Sequence, residues 1–184
     1  MKLNELRNEA FTIATNNGWH EEELSDEHFL MLIVTEIAEA VNADRRNLHA
    51  DVEAFKKYED SLDFMQNFER QIKNTVEDEL ADVVIRCLDL AGLHSIDLSD
   101  AMVLIDNLSE AKCKKDTDGT FVELMFEIVK LISSDYEELA VKINAVLLCV
   151  VELCRAKNIE LEWFVTQKMH YNRLRGWKHG GKAY

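Results

Sequence analysis

An all-α fold is expected from three features of the sequence. Proline is absent from the 184 residues and glycine occurs only six times, which removes the usual helix breakers and disfavours a turn-rich β protein. Apolar residues recur at helical spacing through most of the chain. A hydrophobic content of 47% suffices for one self-standing core at this length, so a single domain over residues 1–184 is the expectation.

The first helix is expected from about Leu3 to Ala14, stopping at NNG, where Gly18 can adopt the left-handed cap conformation. Ser25, followed by Asp26 and Glu27, is an N-terminal signal for a second helix running to about Arg46. Residues 50–75 are charged, with scattered Phe55, Phe64 and Phe68, and read as an amphipathic helical insertion. A third main helix spans about Asn74 to Ala91 and is expected to end at Gly92. Ser99 opens a fourth, ending near the turn DTDG at 116–119. Further helices are expected over 121–132, 136–157 and 160–174, and Gly176, Gly180 and Gly181 suggest a flexible end.

Segments 79–98 and 142–161 align without gaps, and EIAEAV at 36–41 resembles EIVKLI at 127–132. Either helical periodicity alone or a degenerate duplication over 99–167 accounts for this. If duplicated, the second half has Lys130, Lys142 and Ala145 in place of Glu39, Glu79 and Asp82, and it could not bind a metal in the same way.

Acidic residues outnumber basic ones 35 to 21, which disfavours an extended nucleic-acid polymer as partner. Over 165–184, however, Lys168, Arg173, Arg175, Lys178 and Lys182 occur without an acid. A basic tail on an acidic body suits a local anion such as phosphate, or docking onto the chain itself. Cys87, Cys113, Cys149 and Cys154 form no CxxC pair and sit mostly among apolar neighbours, as buried thiols in a reducing compartment would. The start lacks an apolar signal region and no apolar run reaches the roughly 18 residues of a membrane span. A cytoplasmic protein without membrane contact is expected.

The stretch FLMLIVTEIAEAV, from Phe29 to Val41, has only Thr35, Glu36 and Glu39 as polar residues, leaving those glutamates no broad solvated face. Either they are placed by accident or a cation meets them. VEDELADVVIRCLDLA carries a second pair, Glu79 and Asp82, at the same spacing of three. Residues three apart share a helix face, so two such helices opposed would gather four hard oxygen donors. Uncompensated carboxylates in an apolar bundle would take up protons, and Mg²⁺, with Mn²⁺ as an alternative, is the natural counter-ion. Glu79, Asp82, Arg86 and Asp89 also form a polar stripe that an ordinary solvated face would produce.

A di-iron bundle would need Glu-x-x-His pairs, and no histidine has a glutamate three residues before it. A two-carboxylate glycosidase usually needs a sugar cleft rather than two such helices. GWKHGGKA matches most of a phosphate-loop pattern, but Ala183 stands at the Ser/Thr position and no strand is expected before it.

EIAEA followed by ELADVVIRCLDLA resembles the ExxE and ExxD signature of the all-α NTP pyrophosphatases, the MazG-like superfamily that includes dimeric dUTPases and dCTP pyrophosphatases. NNGW, NADRR and IDL are similar in context, and KMHYNRLRGWKHGGKAY resembles the family's basic tail. The similarity covers catalytic motifs over 15–98 and the tail over 168–184. It implies a MazG-like helical bundle and Mg²⁺-dependent hydrolysis of a nucleoside triphosphate, ribo or deoxy, to the monophosphate and pyrophosphate. Glu36, Glu39, Glu79 and Asp82 would be the catalytic metal ligands, with Glu36 orienting the water. Lys168, Asn172 and Arg175, at i, i+4 and i+7, would face the phosphates, and Lys182 and Tyr184 would close over them. The interval between Glu39 and Glu79 is longer than in compact members, so 47–74 is expected to be an added element. A homodimer or higher homo-oligomer stays open beside a one-chain pseudo-dimeric bundle. The competing readings are a disordered basic tail and a non-catalytic helical module that binds a nucleotide or a partner. Trp19, Trp163 and Trp177 serve either as packing residues or to stack a base.

Overall fold

A computed structural model describes residues 1–101, 103, 119–135 and 137–181. The fold is all-α, and the described residues form no strand. The helices are α1 (Leu3–Asn16), α2 (Asp26–Arg45), α3 (Val52–Lys57), α4 (Phe64–Gln71), α5 (Val76–Leu93), α6 (Phe121–Ile132), α7 (Leu139–Ala156) and α8 (Leu161–Leu174). None of them is long and apolar enough to cross a membrane.

Local chemistry explains the boundaries. Ser25, Thr75 and Thr120 each accept a hydrogen bond from a backbone N–H in the first turn of α2, α5 and α6, and Glu123 completes a reciprocal capping box with Thr120. Gly18, with φ +82°, ends the turn after α1, and a Cβ there would lie 2.3 Å from Trp177 Nε1. The conformation and the close approach both require glycine.

α5 is the central element and packs against α1, α2, α7 and α8. Leu80, Val83, Val84, Cys87, Leu88 and Leu90 are fully buried. Gly92 does not end this helix, which continues to Leu93 with His94 as its cap. It serves packing instead, since a Cβ at Gly92 would meet Phe11 Cβ at 2.5 Å. That absence of a side chain lets α1 approach α5 closely.

The expected insertion is helical. α3 and α4 pack on each other and α4 on α8, with Phe55 and Phe68 buried and Phe68 stacked on Tyr171. The helix expected from Ser99 starts at residue 99 and is helical at 100, 101 and 103, while residues 104–118, with Cys113 and the DTDG turn up to residue 118, lie outside the described residues. Cys87 and Cys154 are buried free thiols and Cys149 is half-buried. Burial pushes Cys87 and Cys154 up to about 12, so both are inert at neutral pH. The tail up to Gly181 docks on the chain: Lys178 N donates to Asn17 O and Trp177 Nε1 to Glu21. Lys178, His179, Gly180 and Gly181 all have positive φ, which turns the backbone there into a left-handed bend.

Candidate functional site

A cavity of about 550 Å³ opens where α1, α2, α5 and α8 meet, with the 17–24 loop and the bend at 178–179 on its rim. Its size falls within the roughly 300–1,000 Å³ typical of small-molecule sites. One end is acidic. Glu36 and Glu39 from α2 and Glu79 from α5 can each bring a carboxylate oxygen to within 4.8 Å of the others. Helical spacing places the two glutamates of α2 on the side facing α5, and the packing of α2 on α5 brings Glu79 to them.

The solvated-face reading of the α5 stripe fails, because Glu79 is 3% exposed and Asp89 8%. Burial, followed by the charge of Asp82, pushes Glu79 up to about 9. Burial and Asp82 also push Glu36 up to about 7, against the pull of Arg86, whose Nε donates to Glu36 Oε1 at 2.9 Å. Glu39 is exposed at the cavity mouth.

Asp82 lines the same cavity but lies outside this three-carboxylate group. Its Oδ2 is 2.7 Å from Lys168 Nζ, and Lys168 also donates to both oxygens of Asp78 at 2.8 Å. An ammonium has three donors, and here carboxylates take all of them. Burial opposes the Lys168 charge, but Asp82 and Asp78 overcome it and raise its pKa. Burial pushes Asp78 up to about 6 although Lys168 and the Asn74 N–H pull it down.

Asn172 and Arg175 reach the same cavity from the end of α8. Among the described residues Asn172 Oδ1 is buried without a hydrogen-bond partner, and Arg175 lies over the Tyr171 ring with no carboxylate partner. Lys73, from the turn before α5, and Lys178 add positive charge. Lys182 and Tyr184 lie outside the described residues.

Away from this cluster the lining includes Ile13, Leu24, Phe29, Leu32 and Ile85, together with Trp19, Glu22 and His28. A second buried acid stands there: Asp89 Oδ1 is 2.8 Å from His20 Nε2. Sequence reasoning placed Arg86 and Asp89 on the Glu79 stripe without a role, and that stripe was the available signal. It missed Asp78 and His20, whose partners are 90 and 69 residues distant in the chain.

The donor set suits Mg²⁺ or Mn²⁺. It consists of carboxylate oxygens, the hard ligands these ions take, and the pull of Lys168 does not offset the burial of Glu79. No protein-family profile, no curated protein and no solved structure matches the chain.

Proposed function

We propose that this protein is a Mg²⁺-dependent nucleoside triphosphate pyrophosphohydrolase of the MazG-like kind, releasing a nucleoside monophosphate and pyrophosphate. The observation that carries the reading is the polarity of one cavity: Glu36, Glu39 and Glu79 gather at one end, Arg175 and Lys178 stand at the rim, and an apolar chamber follows. A triphosphate with a base needs such a sequence of surroundings.

Glu39 and Glu79 would hold the ion, with Asp82 beside them and Glu36 facing the same space as the base. When bound, Mg²⁺ supplies charge neutralisation for the phosphate oxygens and lowers the pKa of the attacking water. Arg86 fixes one oxygen of Glu36, which leaves the other to orient that water and take its proton. In the metal-free cluster burial and Asp82 raise its pKa to about 7. Water oxygen bonds to phosphorus, the bond to the pyrophosphate oxygen breaks, and the proton passes to Glu36. Arg175 offers a planar fork to phosphate oxygens, and Lys168 holds Asp82 in place. The buried, inert thiols suit a reducing cytoplasm.

Pyrophosphate release from a panel of ribo- and deoxyribonucleoside triphosphates, with Mg²⁺, Mn²⁺ or EDTA, tests the proposal. Turnover that EDTA abolishes, with the monophosphate as co-product, is expected; folded protein that produces no pyrophosphate with any substrate overturns it. The second reading, a nucleotide-binding module without turnover, draws on Lys168, whose donors are all taken by Asp78 and Asp82 and so face no phosphate.

A further inference from the structure

We infer that Asp89, held by His20, reads the base of the bound nucleotide and selects cytosine or adenine, which carry an exocyclic amino group where uracil and hypoxanthine carry a carbonyl. The inference rests on the nucleotide reading of the cavity and adds to it the class of base.

The geometry of α5 sets the distance. Asp89 stands seven residues beyond Asp82 on the same helix, about 10 Å along the axis, comparable to the reach from a nucleotide's phosphate across its ribose to the far edge of the base. α2 follows the same gradient, from Glu39 and Glu36 through Leu32 to Phe29. Beyond the carboxylate cluster Ile13, Leu24, Phe29, Leu32 and Ile85 line the cavity, with Arg86 and His28 also on its wall, and Asp89 is a buried acid among them. A lone buried carboxylate in such walls is costly unless hydrogen bonds hold it.

His20 supplies one such bond. Its ring is set between Phe11, at 5.0 Å between centroids, and Phe29, at 5.8 Å, and Gly92 gives Phe11 the space to be there. The imidazole is therefore fixed in place, and it engages Oδ1 alone. Asp89 Oδ2 accepts no hydrogen bond among the described residues. Burial raises the Asp89 pKa while His20 and Arg86 lower it.

In its ionised form, which the His20 hydrogen bond and Arg86 favour against burial, Asp89 only accepts hydrogen bonds. The amino groups of cytosine and adenine donate, whereas uracil, thymine and hypoxanthine present a carbonyl at the corresponding position. A carbonyl placed against Asp89 would leave two acceptors in contact in apolar surroundings, with no donor between them.

Two substrate pairs isolate this feature, because CTP and UTP, like ATP and ITP, differ by an amino group replaced by a carbonyl. Competition for a fluorescent nucleotide, with Ca²⁺ replacing Mg²⁺ so that binding is read without turnover, should favour the amino member by at least about tenfold in the ring size that binds. Asp89→Asn, which offers a donor as well as an acceptor, should bring that ratio close to one. His20→Gln, which leaves Asp89 unclamped, should reduce it partway and decides the matter if Asp89→Asn does not fold. Equal binding of the two members by the wild type, no detectable binding of either pair, or a ratio unchanged in the folded variant would overturn the inference. Amino preference without pyrophosphate release would sink the proposed reaction and leave base reading standing; turnover without preference would do the reverse.

Discussion

Arg86 on α5 donates through Nε to Glu36 on α2 across 2.9 Å, joining the two helices that carry the candidate metal ligands. The contact is half-exposed on the arginine side. It therefore acts on Glu36 through hydrogen bonding and charge more than through stability, because a partly solvated ion pair contributes on the order of 0–1 kcal/mol.

Replacing Arg86 with Gln should thus leave the fold intact and change the pH profile. Arg86 lowers the pKa of Glu36, while burial and Asp82 raise it to about 7. Without the guanidinium the acid limb of kcat/KM should move to higher pH, with activity at pH 7 falling by roughly tenfold. A profile superimposable on the wild type would show that Glu36 does not titrate in the reaction.

Glu39 is the exposed member of the cluster, so Glu39→Gln separates chemistry from folding. Surface substitutions usually change stability by within about 0.5 kcal/mol. The midpoint of thermal unfolding in EDTA should stay unchanged, while Mg²⁺ affinity and pyrophosphate release fall by about two orders of magnitude or more. Full activity would remove Glu39 from the ligand set.

The buried trio of Lys168, Asp78 and Asp82 makes the opposite prediction. Lys168→Met leaves buried Asp78 and the cavity-lining Asp82 without their cation, and breaking a buried pair from one side typically costs about 3–5 kcal/mol. Urea unfolding followed by circular dichroism should show a loss of that order. A loss below about 1 kcal/mol would mean that the ammonium is solvated in solution.

Glu79 should link stability to pH. Its pKa is raised in the fold from the ordinary 4.5 to about 9, so the folded state holds a proton that the unfolded chain releases. Its stabilising contribution is therefore complete below pH 4.5 and is lost as pH rises towards 9. In EDTA the unfolding midpoint should decline over that window. Glu79→Gln should flatten the decline, and excess Mg²⁺ should offset it, with protons released on binding. A midpoint in EDTA that rises from pH 6 to 8 would contradict the burial of this group.

Much of the architecture was legible in order along the chain. Absent proline, the cap at Ser25 and apolar periodicity are local signals, and a helix is a local structure whose hydrogen bonds close within four residues. The amphipathic insertion was readable for the same reason, from Phe55, Phe64 and Phe68. Gly18 read correctly as a turn glycine because positive φ is a property of the residue itself. Gly92 did not, because its role is set by Phe11, a side chain on another helix.

By itself the sequence determined the helices, the pairing of carboxylates on one face of α2 and one face of α5, and the basic character of the tail. Tertiary structure decided which of those charges meet. It put Glu79 with Glu36 and Glu39, turned Asp82 to Lys168, closed the Lys168 donors with Asp78, and set His20 against Asp89. The reason is physical: helical spacing fixes the direction of a side chain around its own axis, but the rotation and approach of one helix against another follow from packing over the whole core. The dielectric and charge that each acid experiences, and hence its proton affinity, exist only after that packing is complete.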